Sequence, residues 1–158
     1  MREVALVALV LALSCALGVV WRRRNGRFRA VAVPGAAADA RATTADDPAP
    51  RIVLTSDDVT APLGARATFL QVSSEVCSAC RSTHRVLSGV AAEQAGVAHV
   101  ELDAAHHLGL VRRLNVLRTP TTFVLAHDGT VVGRMSGATG RQQALAALAS
   151  CPDVAPAR

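Results

Sequence analysis

The chain has 158 residues and a formal net charge of +5, and 51% of its residues are hydrophobic although only 3% are aromatic. This length accommodates one domain of ordinary size with a short appendage, and its core must be built mainly from small aliphatic side chains. Five of the arginines lie in residues 22–29, and no second basic cluster with interleaved aromatic residues follows, which argues against a nucleic-acid-binding protein.

The first predicted element is a transmembrane helix, because residues 4–21 carry no charged side chain and are close to the length that spans a bilayer. The arginines that follow resist translocation. We therefore predict a cell-membrane anchor over residues 1–21, with the remaining chain in the cytoplasm. One alternative is a lipoprotein leader ending at Cys15, which the residues before it do not favour. The other is an extracytoplasmic domain, which would require the arginine cluster to cross the membrane.

The anchor is followed by a predicted basic juxtamembrane segment and flexible linker over residues 22–50. Residues 30–50 of this segment are rich in Ala, Pro, Asp and Thr and show no sustained period. A folded domain is predicted over residues 51–151, and a disordered tail over residues 152–158.

Strands and helices alternate in the predicted domain. We expect helices at about 77–95, 108–114 and 140–150, and strands at 51–55, 67–72, 97–102, 121–126 and 130–135. Asp128 and Gly129, between the last two strands, are typical of a hairpin turn. Strands separated by a helix are expected to pair in parallel, with the hairpin adding antiparallel edges. The pattern predicts an α/β sheet with helices on both faces.

Two cysteines, Cys77 and Cys80, directly follow a predicted buried strand. No metal site is predicted, because zinc needs further ligands and the candidates are poorly placed: His84, His106 and His107. A disulfide across so short a loop constrains the unfolded chain little. Cys77 falls at the start of a helix, where backbone N–H groups and the helix dipole favour a thiolate. The pattern therefore favours a redox couple, with Cys77 as nucleophile and Cys80 as resolving cysteine.

The CSAC motif after a buried strand, the RTPT motif before a later strand, and a hairpin followed by Ser136, Gly137 and a closing helix together resemble the thioredoxin family. The resemblance covers about residues 51–150 and implies a thioredoxin-like fold. It also implies exchange without a cofactor, acting on protein or small-molecule disulfides and dithiols. Further, it implies that Pro120 is cis beside the cysteine pair, and that Thr119, Pro120 and Gly137 contact an extended substrate.

The sequence departs from the family's WCGPC motif at Val76, Ser78 and Ala79. Gln71 stands where many thioredoxins have a buried acid, and His99 stands where a lysine often accompanies that acid. Because glutamine does not accept a proton, deprotonation of Cys80 is expected to rely on water, on His99 or on the substrate.

The predicted function is that of a membrane-tethered, monomeric thiol–disulfide oxidoreductase acting in cell redox homeostasis. The alternative is a binding module of the same fold that docks extended segments without redox turnover. Glu75 and His84 are interpreted as solvated surface groups. Cys151 is interpreted as a free thiol, an intermolecular partner or a residue without a role.

Overall fold

The structure is a computed structural model of the chain and describes residues 2–24, 27–30 and 51–151. It begins with helix α1 (Arg2–Arg24). Across these described residues, no helix combines the length and apolarity that a membrane span requires. The predicted transmembrane anchor is therefore not confirmed. The predicted tail at 152–158 and most of the predicted linker lie outside the described residues.

The domain is organised by a five-stranded mixed sheet in the order β1–β5–β4–β2–β3. The strands are β1 (Phe28–Ala30), β2 (Ala67–Ser73), β3 (Val97–Asp103), β4 (Thr121–Ala126) and β5 (Val131–Ser136). The remaining helices are α2 (Ser56–Val59), α3 (Ser78–Glu93), α4 (Leu108–Arg113) and α5 (Arg141–Ala149). The predicted α/β class, with a mixed sheet flanked by helices, is confirmed.

Strand pairing differs from the prediction at β4. The pair β2–β3 is parallel as expected, but β4 lies on the other side of β2 and runs antiparallel to it. A parallel β4 would require the chain to return along the whole of β3, which at seven residues is roughly 23 Å long. The six-residue helix α4 spans about 9 Å. The chain therefore re-enters the sheet at the end where β3 leaves it.

Residues 51–55 form no strand, contrary to the prediction. They contribute one isolated bridge, between Val53 and Thr130. The extended run ends there because Thr55 caps α2. Its hydroxyl accepts the backbone N–H of Asp58, whose carboxylate in turn accepts the N–H of Thr55.

Strand β1 was not predicted and lies inside the segment predicted as linker. It pairs antiparallel with β5, placing Phe28 opposite Met135 and Ala30 opposite Gly133. Phe28 packs against the core. Three residues are too few to show a strand period, so this pairing depends on the partner surface that β5 provides.

Two hydrophobic clusters cover the two faces of the sheet. The first contains side chains of the sheet, α3 and α5, including Phe69, Leu87 and Leu148. The second lies on the opposite face and includes Leu54, Leu70 and Leu114. Strand β2 is consequently buried along its whole length, as expected of a strand covered on both sides. This buried strand carries the cysteine pair at its carboxyl end.

Gly133 provides a test of the β1–β5 pairing. A Cβ atom there would lie 2.3 Å from the Phe28 ring and 2.7 Å from the Arg29 carbonyl oxygen. We expect Gly133→Ala to displace β1, to remove hydrogen-exchange protection from residues 28–30, and to lower the free energy of unfolding by about 1–3 kcal/mol. Gly89→Ala, in α3 with no atom within 4 Å of the added Cβ, should instead stabilise by about 0.5–1 kcal/mol. Unchanged protection in Gly133→Ala would contradict the pairing.

Candidate active site

The cysteine pair lies at the junction that the sequence predicts. Cys77 and Cys80 form a disulfide bond, with their Cα atoms 5.2 Å apart. Cys77 is the N-cap residue of α3, and its sulfur accepts the backbone N–H of Cys80 at 3.0 Å. Cys80 is buried and Cys77 is partly exposed. The first cysteine is thus open to a partner while the second is shielded one turn into the helix.

The loop before β4 packs beside this junction. The Thr119–Pro120 peptide bond is cis, as the resemblance implied. The Thr119 hydroxyl lies 3.0 Å from the hydroxyl of Ser74, three residues before Cys77. The backbone N–H of Gly137 donates to the Pro120 carbonyl at 2.8 Å. The structure therefore brings the predicted substrate-contact residues together next to the cysteine loop.

A cavity of about 620 Å³ opens beside the disulfide. Its walls come from the end of β2, the loop before α3, the first turns of α3 and the end of β3. The lining residues are Ser73, Ser74, Glu75, Cys77, Cys80, Arg81, His84, Arg85, Glu101 and Asp103. Val76, the neighbour of Cys77, is 97% exposed, so the junction offers a partner an apolar contact next to the nucleophile.

Gln71 lies beneath the cavity, fully buried in β2. Its amide nitrogen lies within hydrogen-bond distance of three acceptors: the Ser73 hydroxyl at 2.7 Å, the Glu101 carboxylate at 2.9 Å and the Cys80 carbonyl at 3.1 Å. Its carbonyl oxygen is 3.3 Å from Nε2 of His99. The amide thereby joins β2, β3 and α3 at the base of the site.

Glu101 is the functional candidate that sequence reasoning missed. It is the residue of β3 paired with Gln71, and it also accepts a hydrogen bond from the Ser73 hydroxyl. Its second oxygen lies 2.6 Å from Nδ1 of His84. A carboxylate is therefore present on the strand next to the position where the family has its buried acid. The sequence did contain one signal for such a residue. Gln71 lies in an apolar, buried strand, and a buried glutamine needs polar partners on the neighbouring strand.

His84 is more than a solvated residue, because it pairs with Glu101 and lines the cavity. Its ring also stacks edge-on against His99, with the ring centroids 4.9 Å apart. His84 is exposed, as expected of a surface residue, and its contacts with Glu101 and His99 add to that description.

His99 is held between two polar neighbours, and it reaches Cys80 through the Gln71 amide. Its Nδ1 atom is 3.0 Å from the Ser88 hydroxyl. Burial, with a smaller contribution from the charge of His84, lowers the pKa of His99 to about 4, although the nearby Glu101 carboxylate opposes the shift. His99 is therefore neutral at physiological pH.

The other cysteines lie away from this cavity. Cys151 is buried in the cluster with α3 and α5, so it is not an exposed thiol available to another molecule. Cys15 is exposed on α1. Within residues 2–24, 27–30 and 51–151, no group of three His, Cys, Asp or Glu side chains has a geometry suited to a metal ion.

No protein-family model matches the sequence, and no curated protein matches it significantly. Solved structures do match. A thioredoxin mutant from Halobacterium salinarum aligns with a TM-score of 0.52 and 21% identity, covering 63% of this chain and 85% of that chain. Thioredoxin f from spinach chloroplast aligns with a TM-score of 0.49 and 24% identity, covering 55% and 72%. Fasciola hepatica thioredoxin aligns with a TM-score of 0.49 and 18% identity, covering 56% and 84%.

The alignment with the Halobacterium salinarum thioredoxin agrees with the mixed sheet, its flanking helices and the cysteine pair at the start of α3. The domain therefore has the thioredoxin-like fold that the resemblance implied. At these identities the similarity concerns the fold alone.

The low pKa of His99 predicts a pH-dependent stability. Between pH 6.5 and about 4 the unfolded chain binds a proton that the folded protein excludes, so the free energy of unfolding falls as the pH falls through this window. Because His99 is partly accessible to solvent, we expect the free energy of unfolding to fall by about 2 kcal/mol across this pH range. Denaturant unfolding at several pH values should show this loss in the wild type and a smaller one in His99→Gln. His106→Gln, at an exposed histidine, should keep the wild-type profile. Equal profiles for all three proteins would contradict the assignment.

Proposed function

We propose that this protein is a thiol–disulfide oxidoreductase that exchanges dithiols and disulfides through Cys77 and Cys80. The observation that carries the proposal is the disulfide at the N-cap of α3, beside the cis-proline loop. The N-cap position surrounds Cys77 with backbone N–H groups and the positive end of the helix dipole, which favour a thiolate. A cysteine held in this way is suited to attack a disulfide.

In the reduced protein, the Cys77 thiolate attacks one sulfur of a substrate disulfide. A mixed disulfide forms between Cys77 and the substrate, and the other substrate sulfur leaves as a thiolate. The Cys80 thiolate then attacks the Cys77 sulfur, which restores the Cys77–Cys80 disulfide and releases the second substrate thiol. Two electrons have passed to the substrate, and a dithiol donor returns the protein to its reduced form.

The second step requires Cys80 to lose its proton in a shielded position. We assign Glu101 as the acceptor, because it lines the same cavity as Cys80 and is linked to the Cys80 backbone through Gln71. Water in the cavity would carry the proton from the thiol to the carboxylate. His84, 2.6 Å from the other oxygen, orients the carboxylate and offers an exit for the proton towards solvent.

Thr119, Pro120 and Gly137 are proposed as the contacts for an extended segment of the substrate. Pro120 and Gly137 are buried and linked by a backbone hydrogen bond, and the Thr119 hydroxyl contacts Ser74 of the cysteine loop. The proposed partners are protein or small-molecule disulfides and dithiols. The membrane attachment, cytoplasmic side and monomeric state remain predictions of the sequence.

The cysteine roles can be separated with single substitutions in a Cys15→Ser background, which removes the exposed thiol of α1. With a dithiol donor and a peptide disulfide, Cys77→Ser should lose at least about 100-fold in exchange rate. Cys80→Ser should instead accumulate a mixed disulfide at Cys77, measured by mass spectrometry. Cys151→Ser, at a buried cysteine outside the site, should retain the rate. Equal rates for Cys77→Ser and the background, or the absence of any trapped species, would favour a docking module without turnover.

Glu101 is tested by the rate at which Cys80 resolves the mixed disulfide. At pH 7 we expect Glu101→Gln to slow this step by about tenfold, since the acceptor is lost. The deficit should shrink above about pH 8.5, where a thiol ionises unaided. Asp103→Asn is the matched control, because Asp103 lines the same cavity but accepts the backbone N–H of Ala105 at 2.7 Å. A deficit that is independent of pH, or that is equal in Asp103→Asn, would argue against Glu101.

A further inference from the structure

We propose that four arginines, Arg27, Arg29, Arg118 and Arg134, form a binding pocket for an oxyanion, and that its ligand is an acidic side chain of the disulfide substrate. The pocket itself follows from the geometry of these residues. The identity of its ligand rests on the proposed function.

The arginines surround a cavity of about 350 Å³, which we call the arginine pocket. Its lining is completed by Asn115, Leu117, Thr121 and Ser136. No carboxylate is among the described residues that line it. Guanidinium groups bind carboxylate and phosphate through paired hydrogen bonds in a fixed planar geometry. Several guanidinium groups around one concave surface, with hydroxyl and amide groups between them, are suited to a ligand bearing negatively charged oxygens.

Strand register places two of these side chains directly opposite each other. Arg29 of β1 pairs with Arg134 of β5, so both project on the same face of the sheet. Like charges at directly opposed positions destabilise an antiparallel pair. A bound anion between them would turn this repulsion into attraction, which is a reason to regard the pair as a site and not as ordinary surface charge.

Two arginines are oriented by backbone carbonyls and not by acids. Arg118 donates from Nη2 to the Ser136 carbonyl at 3.2 Å, and Arg134 donates from Nη1 to the Asn115 carbonyl at 3.4 Å. Each bond uses one of the five N–H groups of a guanidinium and leaves others for a ligand. Arg113 and Arg141, elsewhere in the domain, form ion pairs with acids, whereas no carboxylate of the described residues lines the arginine pocket.

The position of the arginine pocket indicates that its ligand is part of the substrate. Arg118 directly precedes Thr119, Thr121 directly follows Pro120, and Ser136 directly precedes Gly137. Because Thr121 pairs with Val72 of β2 as well as with Ser136, the pocket lies at the sheet end that carries the cysteines. An extended segment advances roughly 3.3 Å per residue. A segment held along Thr119 and Gly137 would therefore reach the arginine pocket within a few residues of its cysteine.

The two cavities open on opposite faces of the sheet. The disulfide cavity lies on the face covered by α3. The arginine pocket lies on the other face, because Arg134 alternates with Met135, whose side chain is in the cluster with α3 and α5. The substrate is thus expected to cross the end of the sheet, with its disulfide on one side and its acidic group on the other.

The test uses two disulfide peptides that differ only in carrying two glutamates or two glutamines a few residues from the cysteine. For each protein the ratio of kcat/KM for the acidic peptide to that for the neutral peptide is measured, so that a general change in activity cancels. We expect the full-length wild type to prefer the acidic peptide by about fivefold at low salt, and to lose most of this preference at roughly 1 M salt.

Arg134→Gln and Arg29→Gln should each reduce this ratio to near one. Arg66→Gln, which removes the same charge at the opposite end of β2, should keep the ratio of the wild type. An independent readout needs no redox activity: inorganic phosphate should raise the thermal unfolding midpoint of the wild type more than that of Arg134→Gln. In the absence of any anion, Arg134→Gln should unfold at a higher temperature than the wild type, because the repulsion with Arg29 is gone.

The outcomes separate the two proposals. If neither peptide is exchanged, the proposed function fails, and the phosphate measurement still decides whether the arginine pocket binds an oxyanion. If both peptides are exchanged equally by the wild type, the substrate assignment is overturned. If Arg134→Gln loses binding to vesicles of anionic lipid while the peptide ratio stays that of the wild type, the arginines serve a membrane surface and the proposal is overturned.

Discussion

The end of the domain that carries the cysteine pair depends on the buried amide of Gln71. A fully buried amide must have its hydrogen bonds satisfied within the protein, since an unsatisfied group costs about 1–3 kcal/mol. Here the partners are Glu101 and the Cys80 carbonyl. These contacts tie the strand below the site to the neighbouring strand and to the helix that carries the cysteines. An apolar residue at this position would leave the Cys80 carbonyl and the Glu101 carboxylate without that donor.

The Gln71 amide also occupies the position at which the family pattern has a buried acid. In the family pattern the acid occupies the position of Gln71, buried beneath the helix. In this chain a carboxylate lies on the adjacent strand instead, where Glu101 is partly open to the cavity and contacts His84. A carboxylate near water costs less desolvation than a fully buried one. The arrangement therefore keeps a carboxylate, the proposed proton acceptor, in the same cavity as Cys80 while the buried position is filled by a neutral group.

Most elements of the fold could be predicted because their signals are local. The buried run from Ala67, the helical spacing after Cys77 and the Asp-Gly turn each reflect a few adjacent residues, and these elements are confirmed. Strand β1 and the position of β4 were missed because they depend on partners far along the chain. The strand predicted at residues 51–55 was wrong for a local reason. Thr55 caps helix α2 and ends the extended run there, and the apolar pattern of the sequence does not reveal this cap.

The residues of the candidate site also divide into those that local motifs mark and those that depend on distant partners. Cys77, Cys80 and Pro120 are visible in the sequence because motifs mark them. Glu101 becomes visible only when the β2–β3 register places it opposite Gln71. Likewise, the arginine pocket combines β1, β5 and the loop before β4. No spacing in the sequence connects Arg29 with Arg134, so their opposition follows from the fold.

These placements give the end of the sheet two unlike faces. One face carries the cysteines with Glu101 and His84, and the other carries unneutralised guanidinium groups. The opposed arginines reduce stability. So does the Thr122 hydroxyl, which is buried beside Gln71 without a hydrogen-bond partner. Unfavourable groups of this kind collect where a protein binds or reacts, because the rest of the fold holds them in place. Thr122 and the arginine pocket both lie towards the carboxyl end of β2, where Thr121 pairs with Val72, which is also the end to which the proposed exchange chemistry belongs.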